Sequence, residues 1–513
     1  MNVLSNYSQK WLGFTGIVLL SFGCYIDYTA VNVALPTLQQ EFHVSLIQLQ
    51  WIMNICFLAL CILATIMGHC GDLYGRRRVF YIGVSIFAIA SLIAGSADTF
   101  AWLFSGRLLQ GIGTAIVLPL GPSLLTEIFP ERERGRAIAW FGSLGGVALA
   151  FGPVLGGMIV AWYGWRWIFF INVPIILLGY LFCCKSIKKS VVTSIKHKLD
   201  WTGMLLLGLT IAGIVMSLIN SQHLGWSDKS SLAYLITGII SAVLLIKLER
   251  NKKNPLIDFR DFANIKFYAG AMLCLLGGIL SAVVLFFDPL YLQVIQEQSP
   301  AFSGLVLFAI PASLFVIAFL AGRFIHQSDI INAIILGMAS AILACLLQVF
   351  FTTETPLWYI IIAFICLGCT WGICNTVPVI AAQAAVGEHR VSTATGTMVT
   401  MFNIGGSIGL SAAVIIYHFV ASRKLSDNFP LQIQQHIPDH VSQLQKLIAN
   451  PAQSMQIHEN MALHSIFNEI FMQGFTGVMC FLLSLSILLL LNILIFRANS
   501  LKYDLAAKQY PLP

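Results

Sequence analysis
The sequence predicts an all-α integral membrane protein that crosses the bilayer fourteen times, with both termini in the cytoplasm. Three observations carry that prediction. The 513 residues are 58% hydrophobic and only 10% charged, with a mean hydropathy of +0.83, whereas a soluble globular chain carries about a quarter charged residues. The apolar residues come in solid blocks of about 20, enough to span a ~30 Å hydrocarbon core as a helix, and not in the short alternating segments of a barrel. The basic residues sit in short runs between blocks. With both termini inside, 23 of the 29 Lys and Arg are cytoplasmic, five (Arg166, Lys229, Arg423, Lys424, Lys446) are outside, and Arg107 lies within a span. The reverse orientation would strand RRR at 76–78, KSIKK at 185–189 and KLERNKK at 247–253 outside. The positive-inside rule therefore decides the topology.

The spans are expected at 11–33, 48–68, 79–97, 101–121, 137–161, 167–184, 201–220, 230–247, 267–287, 302–321, 330–350, 357–380, 394–420 and 474–496. The first is long enough to cross and contains no small-residue cleavage site, so it reads as a span and not as a signal peptide. The net charge of +7 is spent on topology signals, which argues against a nucleic-acid partner. None of the twelve cysteines falls in the long polar loop, so they form no disulfide framework. Cys366 and Cys369 make a CxxC inside an apolar block, where buried thiols are expected and not a metal or redox site.

Span one holds the first unusual residue. In CYIDYTAVNVALP, residues 24–36, Asp27 is the only charge across more than twenty apolar positions. A lone ionised side chain at that depth costs at least ~2.5–3.5 kcal/mol, which marks it as functional. Between spans two and three, GHCGDLYGRRRVF makes a short cytoplasmic turn. Gly68, Gly71 and Gly75 let two helices approach. Asp72, beside Arg76, Arg77 and Arg78, is placed to latch or to cap a helix N-terminus. Span four carries RLLQGIGTAIVLP. Arg107 cannot shed its charge there and needs an acceptor or a wet cavity. At ~1.5 Å per residue, Asp27 and Arg107 both fall within roughly 8 Å of the membrane centre on its outer side. One cavity can therefore hold them, as a static ion pair or as a proton relay. Span five, GSLGGVALAFGPVLGG, combines Gly145, Gly146, Gly152, Gly156 and Gly157 with Pro153, which suits either close static packing or a helix that bends and slides.

The remaining polar features have plainer readings. The stretch 248–266 is basic and semi-amphipathic and is expected to form a helix along the inner surface. Asp288, next to Pro289 at the outer end of span nine, reads as a helix terminator in preference to a second proton site. Glu127 reads as snorkelling to the inner interface. Asn32, Gln110, Trp371, Asn375 and Asn403 are candidates for a polar and aromatic cavity wall. The stretch 421–473 is the one long outer loop, and NMALHSIFNEIFMQGF near its end reads as an amphipathic lead-in to the last span.

Taken together, these strings resemble the major facilitator superfamily, and within it the fourteen-span drug:proton antiporter branch (EmrB/QacA type). IDYTAVNVALP is similar to the first-helix signature of that branch, and GHCGDLYGRRR to the loop motif GxxxDRxGRR. RLLQGIGTA matches the fourth-helix RxxQGxG, and GPVLGG resembles the end of the fifth-helix antiporter motif. WRWIFFINVP and TGTMVTMFNIGGSIG are also similar to this branch. The sequence departs at Leu73, where a basic residue is usual, and at Ala148, where the antiporter motif has its first glycine. In the second half, the equivalent loop AGRFIHQSD has lost the GxxxD pattern.

The resemblance implies two pseudosymmetric six-helix bundles, 1–184 and 267–513, the second including the outer loop 421–473. Two extra spans with basic connections, 185–266, would lie between them. It implies alternating access around a central cavity that takes a lipophilic or amphipathic small molecule, with Asp27 and Arg107 coupling transport to protons. It also implies a latch of Gly68, Asp72, Gly75, Arg76 and Arg77 with Arg134 and Arg136. The antiporter helix would use Gly145, Gly152, Pro153, Gly156 and Gly157. No GxxxxGK[ST] occurs, so the proton gradient is the expected energy source and no cofactor or metal is called for. In a host with two membranes the resemblance implies an inner-membrane location with a periplasmic membrane-fusion adaptor and an outer-membrane channel. The nearest rival keeps the fold and exports an endogenous metabolite such as a siderophore. A membrane-embedded enzyme or sensor would need a catalytic constellation or a soluble signalling domain, and neither is expected here.

Overall fold
The computed structural model describes residues 2–44, 46–186, 200–225, 227–250, 252, 255–324, 330–428 and 461–509. Among these residues there is no strand. Helices α1 to α5 are Asn2–Phe42, Leu46–Tyr74, Arg76–Gly95, Phe100–Ile128 and Glu131–Tyr163. Then come α6 Arg166–Phe170, α7 Asn172–Ser186, α8 Trp201–Leu224 and α9 Lys229–Glu249. The remainder are α10 Ile265–Leu290, α11 Pro300–Leu307, α12 Ala309–Phe324, α13 Ile330–Val349, α14 Leu357–Cys374, α15 Val377–Ala385, α16 Val391–Asn428 and α17 Met461–Gln509. Thirteen segments among the described residues are long and apolar enough to cross a membrane. The expected span 137–161 lies inside the 33-residue helix α5, which is not one of those thirteen.

Local chemistry sets the helix ends. Thr99 accepts from the Trp102 N–H to open α4, Asp200 from Gly203 to open α8, and Ser299 from Phe302 to open α11. Each satisfies one of the orphan donors of a first turn. Gly164 and Gly225 end α5 and α8 at φ +88° and +83°, a backbone region that glycine enters without steric cost.

The chain forms two compact units that do not follow chain order. The first holds residues 1–274, 315–334 and 372–404. In it α1 packs on α5 and α7, α3 on α4, α2 on α4, and α8 on α9. The second holds 275–314, 335–371 and 405–513. Its core is aromatic, with Tyr291, Phe351 and Phe475 stacked at 5.0–6.1 Å between ring centres. Phe467 and Phe471, from the lead-in to the last span, are also buried there on α17. The residues 429–460 of the expected outer loop and 325–329 of the second-half loop lie outside the described residues.

Two expectations are corrected. The stretch 248–266 is not a surface helix: its described residues make only a 3₁₀ turn at Asp261–Ala263 before α10 begins. Pro255 interrupts any helix there. The fully buried Glu249 takes the Leu256 N–H and the Lys252 ammonium, which also binds Asp200, and Arg390 grips Asp258 and Asp261. The segment is therefore tied down by charge. Asp288 does not terminate span nine either. Helix α10 runs through Asp288 and Pro289 and continues as a π turn, Tyr291–Ile295.

At the far end of α1, Glu41 accepts from Trp165 Nε1 at 2.6 Å and pairs with Arg166 at 2.8 Å. Desolvation pushes its carboxyl up, but these two partners outweigh it and hold it below the usual carboxylate range. A lowered folded pKa stabilises above the unfolded value of about 4.3 and is lost as pH falls through the folded one. Since 37% of the side chain is exposed, the contribution is under ~1 kcal/mol. Glu41→Gln should melt slightly below wild type at pH 7, and the two melting curves should converge in acid; a constant gap would refute this.

Candidate functional site
The first unit carries a buried polar cluster built from five helices. Asp27, on α1, is 2% exposed, and Arg107, on α4, is fully buried. Arg107 Nη1 donates to Asp27 Oδ2 at 2.5 Å and to Gln110 Oε1 at 2.7 Å. Gln110 Nε2 donates to Asp27 Oδ1 and to Ser91 Oγ on α3, each at 3.0 Å. Asn172, the first residue of α7, donates from Nδ2 to Asp27 Oδ1 at 3.0 Å. Arg107 Nε reaches the Ile52 carbonyl on α2 at 3.3 Å, and its guanidinium lies 5.8 Å from the Phe169 ring centre.

Asp27 thus accepts from three side chains, one of them a guanidinium, a charge-assisted arrangement. Two buried polar atoms remain without a partner among the described residues: Arg107 Nη2 and Asn172 Oδ1. Protonating Asp27 would leave Arg107 as an uncompensated buried cation, which costs several kcal/mol unless the guanidinium moves to water or to another acceptor.

A second polar assembly in the same unit joins the α2–α3 turn to the start of α16. Asp72 Oδ1 accepts from Arg76 Nε and Nη2, both at 3.1 Å, and from the Ser392 backbone N–H at 3.1 Å. Asp72 Oδ2 accepts from the Thr393 N–H at 2.8 Å and its hydroxyl at 2.9 Å. Arg76 also reaches Glu127 at 3.4 Å and the Glu388 carbonyl. A Cβ on Gly68 would lie 2.3 Å from the Ser392 carbonyl oxygen, and Gly75 has φ +95°, so both positions require glycine. Arg77 instead stacks over Tyr81 at 5.5 Å. Arg134 hydrogen-bonds the Phe129 carbonyl and lies 3.8 Å from an exposed Glu388 carboxylate. Arg136 is exposed, without a hydrogen bond or ion pair among the described residues.

Helix α5 runs unbroken through Pro153. A Cβ on Gly145 would strike the Tyr25 ring at 2.7 Å, one on Gly152 the Thr29 hydroxyl at 1.8 Å, and one on Gly156 the Ala30 carbonyl at 2.7 Å. The glycine face therefore lies directly on the helix that carries Asp27. Gly157 has only Val33 at 3.8 Å. Of the candidate wall residues, Gln110 belongs to the Asp27 cluster. Asn403 is buried and bonds back to the Val399 carbonyl of its own helix. Asn375 packs by its backbone against Gly142 in the first unit, whereas Trp371 falls in the second. The Asn32 side chain lies outside the described residues. GGSIG, 405–409, has the GxSxG spacing of a hydrolase, but it runs through the middle of α16, without the sharp strand-to-helix turn that would expose its serine.

Asn172 and Ser91 were not among the expected site residues. A lone amide before Val-Pro in WRWIFFINVP is a usable signal for Asn172. A serine inside an apolar helix is no signal at all.

Comparison with known proteins agrees with this architecture. The Major Facilitator Superfamily profile matches residues 17–410. The multidrug resistance protein Stp of Mycobacterium tuberculosis is 28% identical over 429 residues, covering 83% of this chain and 78% of that protein. The tetracenomycin C resistance and export protein of Streptomyces glaucescens is 29% identical over 412 residues, covering 79% and 74%. The crystal structure of the human organic anion transporter MFSD10 superposes with a TM-score of 0.58 at 14% identity, covering 91% of this chain and 99% of that one.

Proposed function
The chain belongs to the Major Facilitator Superfamily, and from that premise we propose that it is a multidrug exporter driven by proton exchange. The observation that carries the reading is Asp27, a carboxylate buried in a membrane-spanning helix yet supplied with three donors, one of them a guanidinium. Such a group has two stable states only if its partner can move. In the state described, Asp27 is paired with Arg107. In the other it holds a proton, and Arg107 turns to water or to substrate-side acceptors. An incoming cationic or polar drug then competes for the carboxylate from the inner side and displaces the proton.

The Asp72 assembly suits the latch of such a cycle, made when the inner side is closed and broken when it opens. Two six-helix bundles, 1–184 and 267–513, flanking the inserted spans at 185–266, would supply the rocking parts. The names of the relatives, a multidrug resistance protein and an antibiotic export protein, favour drugs as cargo. Residence in the inner membrane, and an adaptor with an outer-membrane channel in a host with two membranes, are part of the same proposal.

The test is drug-induced proton movement in everted membrane vesicles. Lipophilic cations should collapse a preset pH gradient with the wild type and not with Asp27→Asn, which should still reach the membrane. Proton movement retained in Asp27→Asn would sink Asp27 as carrier. No movement with any drug in wild-type vesicles would sink the proton exchange itself.

A further inference from the structure
The second unit holds another buried carboxylate, and its surroundings are the opposite of those around Asp27. Asp288 is fully buried on the membrane-spanning helix α10. Its one hydrogen bond among the described residues comes from Gln348 Nε2 on α13, 2.8 Å from Oδ2. Asp288 Oδ1 is buried without a partner among the described residues, and so is Gln348 Oε1, the other end of the same amide. No Lys, Arg or His among them lies within 4.0 Å of the carboxylate. The titratable groups around it include Tyr291 on the π turn, Cys345 one turn before Gln348, and Tyr417 of α16. Tyr417 packs on Phe287, and the half-buried His418 touches only its ring edge-on. All three groups are neutral acids, so none offsets a negative charge.

An ionised carboxylate at such a place, with one neutral donor, is among the costliest arrangements a membrane protein can hold. Two orphaned acceptors on one hydrogen-bonded pair have a single economical remedy. A proton on Asp288 Oδ1 removes the charge and creates the donor that Gln348 Oε1 lacks, turning the pair into a doubly bonded acid–amide ring. We infer that Asp288 and Gln348 form a second proton-binding site, loaded in the conformation described, while Asp27 is empty. Loading is the transfer of a proton from water to the Asp288 carboxylate, and unloading is its return to water when the carboxyl becomes wet. Two carboxylates whose environments favour opposite protonation states are the arrangement by which one site releases a proton while the other keeps one. The protonation state stands on the geometry of the second unit. Its use in transport rests on the exporter reading above.

Infrared spectroscopy of the purified protein in lipid nanodiscs separates the two. At pH 7.5 the wild type and Asp27→Asn should both show the C=O stretch of a protonated, deuterium-sensitive carboxyl, absent in Asp288→Asn and moved to higher frequency in Gln348→Leu, where the ring is broken. A wild-type spectrum without that band, or an Asp288→Asn spectrum that keeps it, overturns the site. Asn is nearly isosteric with the neutral acid, so Asp288→Asn should fold and melt as the wild type does. A markedly destabilised Asp288→Asn would count against a neutral acid, and the Gln348→Leu frequency would then decide. Protons exchanged per drug should fall in Asp288→Asn without vanishing. An unchanged ratio removes the transport role even if the band is present. Failure of wild-type vesicles to move protons would overturn only the exporter reading.

Discussion

Arg107→Met is expected to destabilise the protein by about 3–5 kcal/mol, because it leaves the Asp27 charge buried with only amide donors. The guanidinium makes the shortest contact to Asp27, 2.5 Å, and is fully enclosed. Water cannot replace it without opening the contacts between α1, α2 and α4. The informative variant is the double one. Asp27→Asn in the Arg107→Met background removes the stranded charge and should restore most of the lost stability, although transport stays absent. Melting of the four proteins in detergent, followed by size-exclusion chromatography, gives the coupling directly. If the two single effects simply add, the pair is not a functional unit and the coupling argument fails.

Gly68→Ala is expected to disable the proposed latch at Asp72 without unfolding the helices. The added Cβ would sit 2.3 Å from a backbone oxygen of Ser392, which has no side-chain freedom with which to yield. The α2–α3 turn must back away, and Asp72 then loses the Ser392 and Thr393 donors. Each hydrogen bond to a charged group is worth about 1.5–3 kcal/mol, so even one such loss shifts the latched population by roughly tenfold or more. Drug efflux from whole cells should fall accordingly at unchanged expression. Gly304→Ala is the control, since its Cβ would meet nothing within 4 Å. Equal losses in both variants would mean that the close approach at Gly68 has no bearing on transport.

The membrane character, most of the spans and the Asp27–Arg107 pairing were legible in the sequence, because hydropathy and rise per residue act over whole helices. What escaped was set by contacts that spacing does not report. Asn172 and Ser91 join Asp27 from helices whose rotation only packing decides. The burial of Asp288 within a continuing helix is masked by Pro289, which usually ends a helix and here lies inside α10. Residues 248–266 have the composition of a surface helix, but ion pairs to Arg390 and Lys252 hold them otherwise. Glu127, which the sequence places near the inner interface, is exposed and meets Arg76 at 3.4 Å, a partner that spacing does not report.

The grip on Asp72 has a consequence for how this protein can change over time. Two of the donors that α16 offers are peptide N–H groups of Ser392 and Thr393, and Thr393 adds a hydroxyl. A peptide group survives nearly every substitution, so position 392 is free to drift while the contact persists. Only proline would erase the donor there. Two of the five hydrogen bonds to Asp72 are therefore invisible to any comparison that reads side chains alone, and heritable loss will be found first at Asp72 and Arg76.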